Sequence, residues 1–170
     1  MTVESKVGAV QVFRKGYIGS DDPLKLSLPY SRELMDRIAQ VPGVVAVTPR
    51  IAFDGMVTNG AESTMFMATA IDPDSEYLVC PKRRARVSPG SQPLLSGKQG
   101  DMLIGKTLAE SLGAKPGSTL VMQAAGPHAS TNALDIEVGG FLPQQSAMES
   151  KRMATVRIGD VLARLWEVLV

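Results

Sequence analysis

The chain has 170 residues, 44% of them hydrophobic and 21% charged, with a formal net charge of +1. That is the length of one domain, or of one domain with an insertion, and enough to bury roughly 70% of the unfolded surface without disulfides or a structural metal. The composition excludes a disordered chain. The near-zero charge argues against nucleic acid as a partner, because affinity for phosphates grows with the number of lysine and arginine contacts.

The predicted elements follow in chain order. Val7 to Phe13 alternate in apolar character and predict a strand, followed by Gly16, Gly19 and an acidic Asp21-Asp22-Pro23 loop. From Ser31 the period changes: Leu34, Ile38 and Val41 share one face of a helix with Ser31 as N-cap and Pro42-Gly43 as its end. Val44 to Val47 then predict a second strand. Strand, helix and strand in this order suggest a split βαβ, or ferredoxin-like half. A hairpin is predicted next, running from Ile51 to Thr58, through Asn59-Gly60 as a type I′ turn, and back from Ser63 to Ile71.

Asp72-Pro73 predicts a turn, and the Pro-, Gly- and Arg-rich stretch from Pro81 to Gly100 a surface loop available for contact. Asp101 to Ile104 reads as a short strand and Lys106 to Leu112 as a short helix stopped by Gly113. Thr119 to Met122 and Leu134 to Phe141 are further strands, separated by the loop Ala125 to Ala133. From Gly159 onward, Val161, Leu162, Leu165, Trp166 and Leu169 lie on one helical stripe. A final helix so apolar is expected to lack the element against which it packs.

Candidate chemistry is sparse. The single cysteine, Cys80, rules out an intramolecular disulfide and a cysteine zinc cage, and the single histidine, His128, rules out a two-histidine metal site. Gly100 to Thr107 matches the phosphate-binding G-x-x-x-x-G-K-[ST] pattern letter for letter. Its middle, Met102-Leu103-Ile104, is β-prone, and Asp101 would set a carboxylate beside the phosphates. A strand entering a helix through Gly105 is therefore the favoured reading, with a small P-loop nucleotide-binding enzyme as the alternative. Asp72, Asp74 and Glu76 have the opening spacing of a calcium loop, which Pro73 and Tyr77 break; a capped turn is expected instead.

Lys82, Arg83, Arg84 and Arg86 concentrate four positive charges in five residues without interleaved aromatics. That suits anionic lipid headgroups, an acidic protein face or an ordinary solvated loop better than stacked bases. His128 sits in the Gly126-Pro-His-Ala-Ser130 loop with no acidic neighbour. The nine methionines could serve as core filler or as an adaptable binding surface. The uncharged stretch Pro116 to Leu134 contains too many Pro, Gly and polar residues for a membrane span, and MTVESKVG lacks the features of a signal peptide. The chain is thus expected to be either cytosolic or a piece of a longer membrane protein.

Several segments together carry a family resemblance. They are Gly8-Ala-Val-Gln-Val12 with Gly16-Tyr17, Val41-Pro-Gly-Val44 leading to Val47-Thr-Pro-Arg-Ile51, Gly55, Ala70-Ile-Asp-Pro73 with Glu76, Leu103 to Gly117, and Val138-Gly-Gly-Phe141. In order and spacing the chain resembles the MacB-like periplasmic core domain of ABC transporter permeases of the lipoprotein-releasing and macrolide-efflux kind. It departs from that pattern at Gly117-Ser118, where the family has Gly-Asp, and in the short loop Ala125 to Ala133, where some members carry a protruding hook.

The resemblance implies an α+β fold. In it, residues 1–50 and 142–170 form a mixed α/β subdomain of split βαβ, ferredoxin-like halves, and residues 51–141 an inserted mainly-β subdomain. It implies a non-enzymatic domain without cofactor, on the periplasmic side of the inner membrane. Such a domain couples ATP-driven movement of transmembrane helices to export or release of a lipoprotein, peptide or drug. Its partners would be the rest of the permease, a separate cytoplasmic ATPase subunit, and a lipoprotein or periplasmic adaptor. Arg83, Arg84, Arg86 and His128 are the residues expected to contact that partner. A soluble accessory binding module without membrane context is a further alternative.

Overall fold

Alternation of buried and exposed residues organises most of the chain. In the computed structural model, which describes residues 8–21, 26–29, 31–85, 87–126, 131–143 and 146–165, the elements are α1 (Arg32–Ala39), β1 (Arg50–Thr58), β2 (Ser63–Ile71), α2 (Pro73–Val79), α3 (Pro81–Ala85), β3 (Asp101–Ile104), α4 (Lys106–Ser111), β4 (Thr119–Ala125), β5 (Thr131–Phe141), α5 (Ala147–Arg152), β6 (Met153–Arg157) and α6 (Ile158–Asp160), the last running into a π-helical turn, Val161–Leu165. The fold is mixed α and β, as expected. Its centre is a closed barrel of six strands in the order β1-β2-β6-β3-β5-β4, with β4 returning to β1. The β2–β6 and β3–β5 ladders are parallel and the other four antiparallel.

Inward-facing residues fill the barrel. Leu120, Met122 and Ala124 of β4 and Leu134, Ile136 and Val138 of β5 alternate with exposed neighbours, the period-two signature of a strand with one wet face. Phe53 and Phe66 meet edge to face, with centroids 5.7 Å apart, inside the β1–β2 hairpin. Because β3 and β6 are antiparallel and are followed directly by α4 and α6, these helices sit at opposite ends of the barrel. Leu108, Ala109 and Leu112 join the core from one end, and Ile158, Val161 and Leu165 from the other.

β3 is buried along its whole length. Met102 and Ile104 point into the barrel, while Leu103 meets Leu94 and Ile71 in a second apolar cluster on the outside. Residues 87–100 therefore form a strap across the outer wall. Tyr77 donates to the Leu94 carbonyl at 3.1 Å, and Ser91 Oγ accepts the Phe141 N–H at 2.8 Å. Under this strap the Arg157 guanidinium contacts Asp101, donates to Asp160 at 3.0 Å and reaches the Leu95 carbonyl at 3.3 Å.

The structure departs from the sequence expectations at identifiable places. The helix α1 forms with its Ser31 cap, whose hydroxyl accepts the Leu34 N–H at 3.2 Å. Neither flanking strand does. Among the described residues, 8–13 and 44–47 join no ladder, and Val10 and Val45 are 82% and 100% exposed. Apolar alternation makes a strand only where a neighbouring ladder can take its amides, and none of the described residues offers one here. The split βαβ half is thus reduced to its helix.

The hairpin closes through four residues, not two, because Thr58 pairs with Ser63. The Asn59 carboxamide oxygen accepts from Ala61 and Glu62, and its nitrogen donates to the Leu112 carbonyl at 2.8 Å, tying the loop to α4. The strand β6 was not legible in the sequence: it is only five residues long and follows directly on Ser150-Lys-Arg152. It comes from the 142–170 range and is hydrogen-bonded between β2 and β3 of the 51–141 range. The final apolar stripe has its packing partner: Val161 and Leu165 are fully buried against the barrel, and Asn132 donates to the Leu165 carbonyl at 2.6 Å. Trp166 and Leu169 lie outside the described residues.

Barrel closure depends on Gly55, where β1 pairs with β2 on one side and β4 on the other. A Cβ there would stand 2.0 Å from the Gln123 carbonyl oxygen. Gly55→Ala is expected to destabilise the fold by about 1–3 kcal/mol in denaturant unfolding, the usual range for forced overpacking. Gly97→Ala, whose added carbon meets nothing within 4 Å, serves as the control and should leave the midpoint unmoved.

Candidate functional site

Among the described residues, a concentration of polar groups that the sequence marked is gathered around α2 and α3, which lead into the strap. Asp72 caps α2: its carboxylate accepts the Ser75 hydroxyl at 2.6 Å and the Ser75 N–H at 3.4 Å, and Pro73 occupies the first helical turn, where its missing N–H costs nothing. The predicted Asp-Pro turn is therefore a helix start. It aims Glu76 inward, and this carboxylate is completely buried.

Two arginines neutralise it. Arg50 of β1 binds both Glu76 oxygens, Nε to Oε2 at 2.8 Å and Nη2 to Oε1 at 2.9 Å, and Arg83 of α3 reaches Oε1 at 2.7 Å. The same Arg50 Nη2 lies 3.1 Å from the sulfur of buried Cys80. Burial works against the charge of Arg50, yet the hydrogen bond and the negative charge of Glu76 outweigh it and hold this guanidinium above the ordinary arginine value. The triad bolts the chain on either side of the β1–β2 hairpin to α3.

Other residues of α2 and α3, with Leu94 and Leu95, line an open groove of about 320 Å³. Its floor is Leu94 and the Tyr77 ring, its edges are Leu78 and Leu95, which are 72% and 48% exposed, and Asp74 and Arg84 stand on its rim. The Arg84 guanidinium lies 6.0 Å over the Tyr77 ring, within cation–π range. Such a groove can seat an apolar side chain of a partner between two opposite charges. A second hollow, of about 230 Å³, lies beside α6 and is lined by Ile71, Gln99, Arg157 and Arg164 among others.

Of the four residues expected to contact a partner, the structure describes Arg83 and Arg84, and these two have different surroundings. Arg83 is half-buried and bound to Glu76, so its charge serves the fold; Arg84 is exposed on the groove. Arg86 and His128 lie outside the described residues. Sequence reading missed the partnership of Arg50, Glu76 and Cys80. Its only trace was Glu76 three residues after Pro73, a distance that places a side chain one turn into a capped helix.

The phosphate-loop pattern has another use. Asp101 to Ile104 are a strand whose amides belong to the β5 and β6 ladders, so no loop exists to wrap a phosphate. Gly105 is a glycine because α5 crosses there, and a Cβ would stand 2.3 Å from the Ser150 carbonyl oxygen. The Thr107 N–H donates to Ser150 Oγ at 3.1 Å, and the two hydroxyls lie 2.7 Å apart. Lys106 is exposed and 3.9 Å from Glu110. Asp72 and Glu76 are likewise spent, on a helix cap and an ion pair, and the described residues contain no group of His, Cys, Asp and Glu side chains able to hold a metal.

Two outcomes follow from the triad and the groove. Removing Glu76 charge with Glu76→Gln leaves two guanidinium groups facing a neutral amide and should destabilise the fold by about 3–5 kcal/mol, the range for breaking a buried pair from one side; thermal unfolding at neutral pH checks it. Burial raises the Tyr77 phenol above the ordinary tyrosine value, while Arg83 and Arg84 only partly oppose it. A raised folded value means that this group's contribution to stability is intact below about pH 10 and is lost as pH rises above the unfolded value. The difference in phenolate absorbance between the wild-type chain and Tyr77→Phe should therefore appear late in an alkaline titration, and an ordinary phenol titration there would contradict the groove's packing.

No protein-family model and no curated protein matches this chain. Among solved structures, it is similar to the extracellular domain of the noncanonic ABC-type transporter YknZ from Gram-positive bacteria, with a TM-score of 0.58 at 16% sequence identity. The likeness covers 79% of this chain and 65% of that one, so the chain spans about two-thirds of its neighbour's length. At this identity the similarity is one of fold.

Proposed function

We propose that this chain is the extracytoplasmic domain of an ABC transporter permease subunit, which couples ATP-driven movement of transmembrane helices to export or release of a lipoprotein, peptide or drug. The observation that carries the reading is the fold it shares with the extracellular domain of an ABC-type transporter. Two of the segments behind the sequence resemblance support it by what they build. Ala70 to Pro73 with Glu76 makes the β2–α2 corner and its buried triad, and Leu103 to Gly117 makes the β3–Gly105–α4 corner packed on α5.

In this reading the domain is non-enzymatic, uses no cofactor and works as a rigid transmitter. A closed barrel with both ends filled deforms little, so displacement at one end is delivered to the other as rigid-body motion. The groove under Leu78 and Arg84 takes an apolar side chain of the lipoprotein, peptide or periplasmic adaptor. The remainder of the permease and a separate cytoplasmic ATPase subunit complete the machine at the inner membrane. No helix among the described residues is long and apolar enough to cross a membrane, so the spans in this reading belong to other parts of the permease. The P-loop alternative has only the letter match of Gly100 to Thr107, whose middle is committed to strand ladders.

Placement is tested by labelling. Cys80 is fully buried and gives little background, whereas Ala61 is exposed in the β1–β2 loop. With Ala61→Cys in the protein expressed from its own locus, a membrane-impermeant maleimide should label intact spheroplasts, and the detergent-solubilised protein should co-purify with an ATP-binding-cassette subunit. Labelling only after lysis, with recovery in the soluble fraction, would overturn the reading.

A further inference from the structure

Four of the nine methionines meet on the outside of the barrel. Met56 of β1 is the register partner of Met65 of β2, and Met67, two residues further along β2 and on the same face, is the register partner of Met153 of β6. Burial confirms the face: Phe66 and Ala68 between and beyond them are inside, while Met56, Met65 and Met67 are 47%, 55% and 42% exposed. Directly opposed residues have Cβ atoms about 4.5–5.5 Å apart and diagonal neighbours about 7–8 Å. Those spacings are within the swing of side chains with three rotatable bonds, so three or four thioethers can converge on one point above the sheet.

The surroundings select the ligand. The other partners of these residues in the ladders are Asp54, opposite Met67, and Gln123, opposite Met56. The one charge among these ladder positions is thus a carboxylate, which favours a cation over an anion. Thioether sulfur is a soft, neutral donor that binds Cu(I) and is a poor ligand for hard divalent ions. We propose that the outer face of β1, β2 and β6 is a surface site for a soft monovalent cation, Cu(I), held by Met56, Met65 and Met67 with Met153 at its edge. This site stands apart from the groove on α2 and α3 and does not depend on the transporter reading.

The test uses the 170-residue chain and the metal alone. Under anaerobic conditions, Cu(I) presented in competition with bicinchoninate should bind at one equivalent, and Ag(I), a redox-inert stand-in, should shift the methyl NMR signals of Met56, Met65 and Met67. Zn(II) should shift none of them. The double variant Met65→Leu/Met67→Leu should weaken Cu(I) binding by more than about tenfold, since even loss of a group that only supports a ligand costs about 10–100-fold. Its unfolding midpoint should stay unchanged because both side chains are exposed. Met148→Leu, an exposed methionine on α5, and Cys80→Ala should retain the affinity. Binding that persists in the double variant, or that disappears with Cys80→Ala, would overturn the proposal, as would an absence of saturation at one equivalent.

Discussion

One guanidinium joins the parts of this fold that are distant in sequence. Arg157 ends β6, the strand that links the hairpin side of the barrel to the β3 side, and it lies between the outer wall and the strap. It contacts Asp101 at the start of β3 and Asp160 at the start of the final helical turn, while Asp160 also accepts the Gly100 N–H at 3.1 Å. Two carboxylates and a carbonyl around one buried cation leave little freedom in how the strap, β3 and α6 sit. A buried charge is costly unless it is paired and hydrogen-bonded; Arg157 has two carboxylates beside it and hydrogen bonds from Nη1 and Nη2, while its Nε is left without a hydrogen-bond partner among the described residues. Lys98 adds a solvent-side contact to Asp101 at 3.3 Å, which closes the strap's end over the pair.

The Arg50–Glu76–Arg83 triad repeats the same device one element away. There too a carboxylate without solvent is shared between two arginines that come from different segments. The Arg157 cluster lies beneath the strap, and the triad holds α2 and α3, which line the groove. The strap is thus a pinned outer layer, and the groove between it and α2 and α3 is presented by rigid neighbours. Rigidity matters for the proposed role, because a domain that passes motion from membrane helices to a cargo loses force wherever it yields. It matters equally for the methionine face, where the strand registers fix which sulfurs are neighbours.

Charge clustering along the chain and charge clustering in space prove to be different things. Of the consecutive charges from Lys82 to Arg84, Arg83 turns inward to Glu76 and Arg84 lies over an aromatic ring. In the same way Gly100 to Thr107 carried the letters of a phosphate loop, while its amides are committed to ladders and its threonine to Ser150. A short pattern records residue types at a spacing. Whether the backbone between them curls or extends depends on neighbours that the pattern does not contain.

The sequence by itself determined the local events. The Ser31 cap, the β1–β2 hairpin, β3, the α4 stop at Gly113 and the alternating faces of β4 and β5 all follow from residues within one turn or one hairpin of each other. Only tertiary structure decided that β6 would form from Met153 to Arg157, since its hydrogen-bond partners β2 and β3 lie far upstream. The same holds for the failed strands at 8–13 and 44–47, which have the right alternation but no ladder to join. It holds as well for the buried fate of Glu76, Arg157 and Leu165. A helix or a turn is closed by bonds between near neighbours, so its signal is local; a sheet and a buried ion pair are closed by residues that the chain brings together only once it has folded.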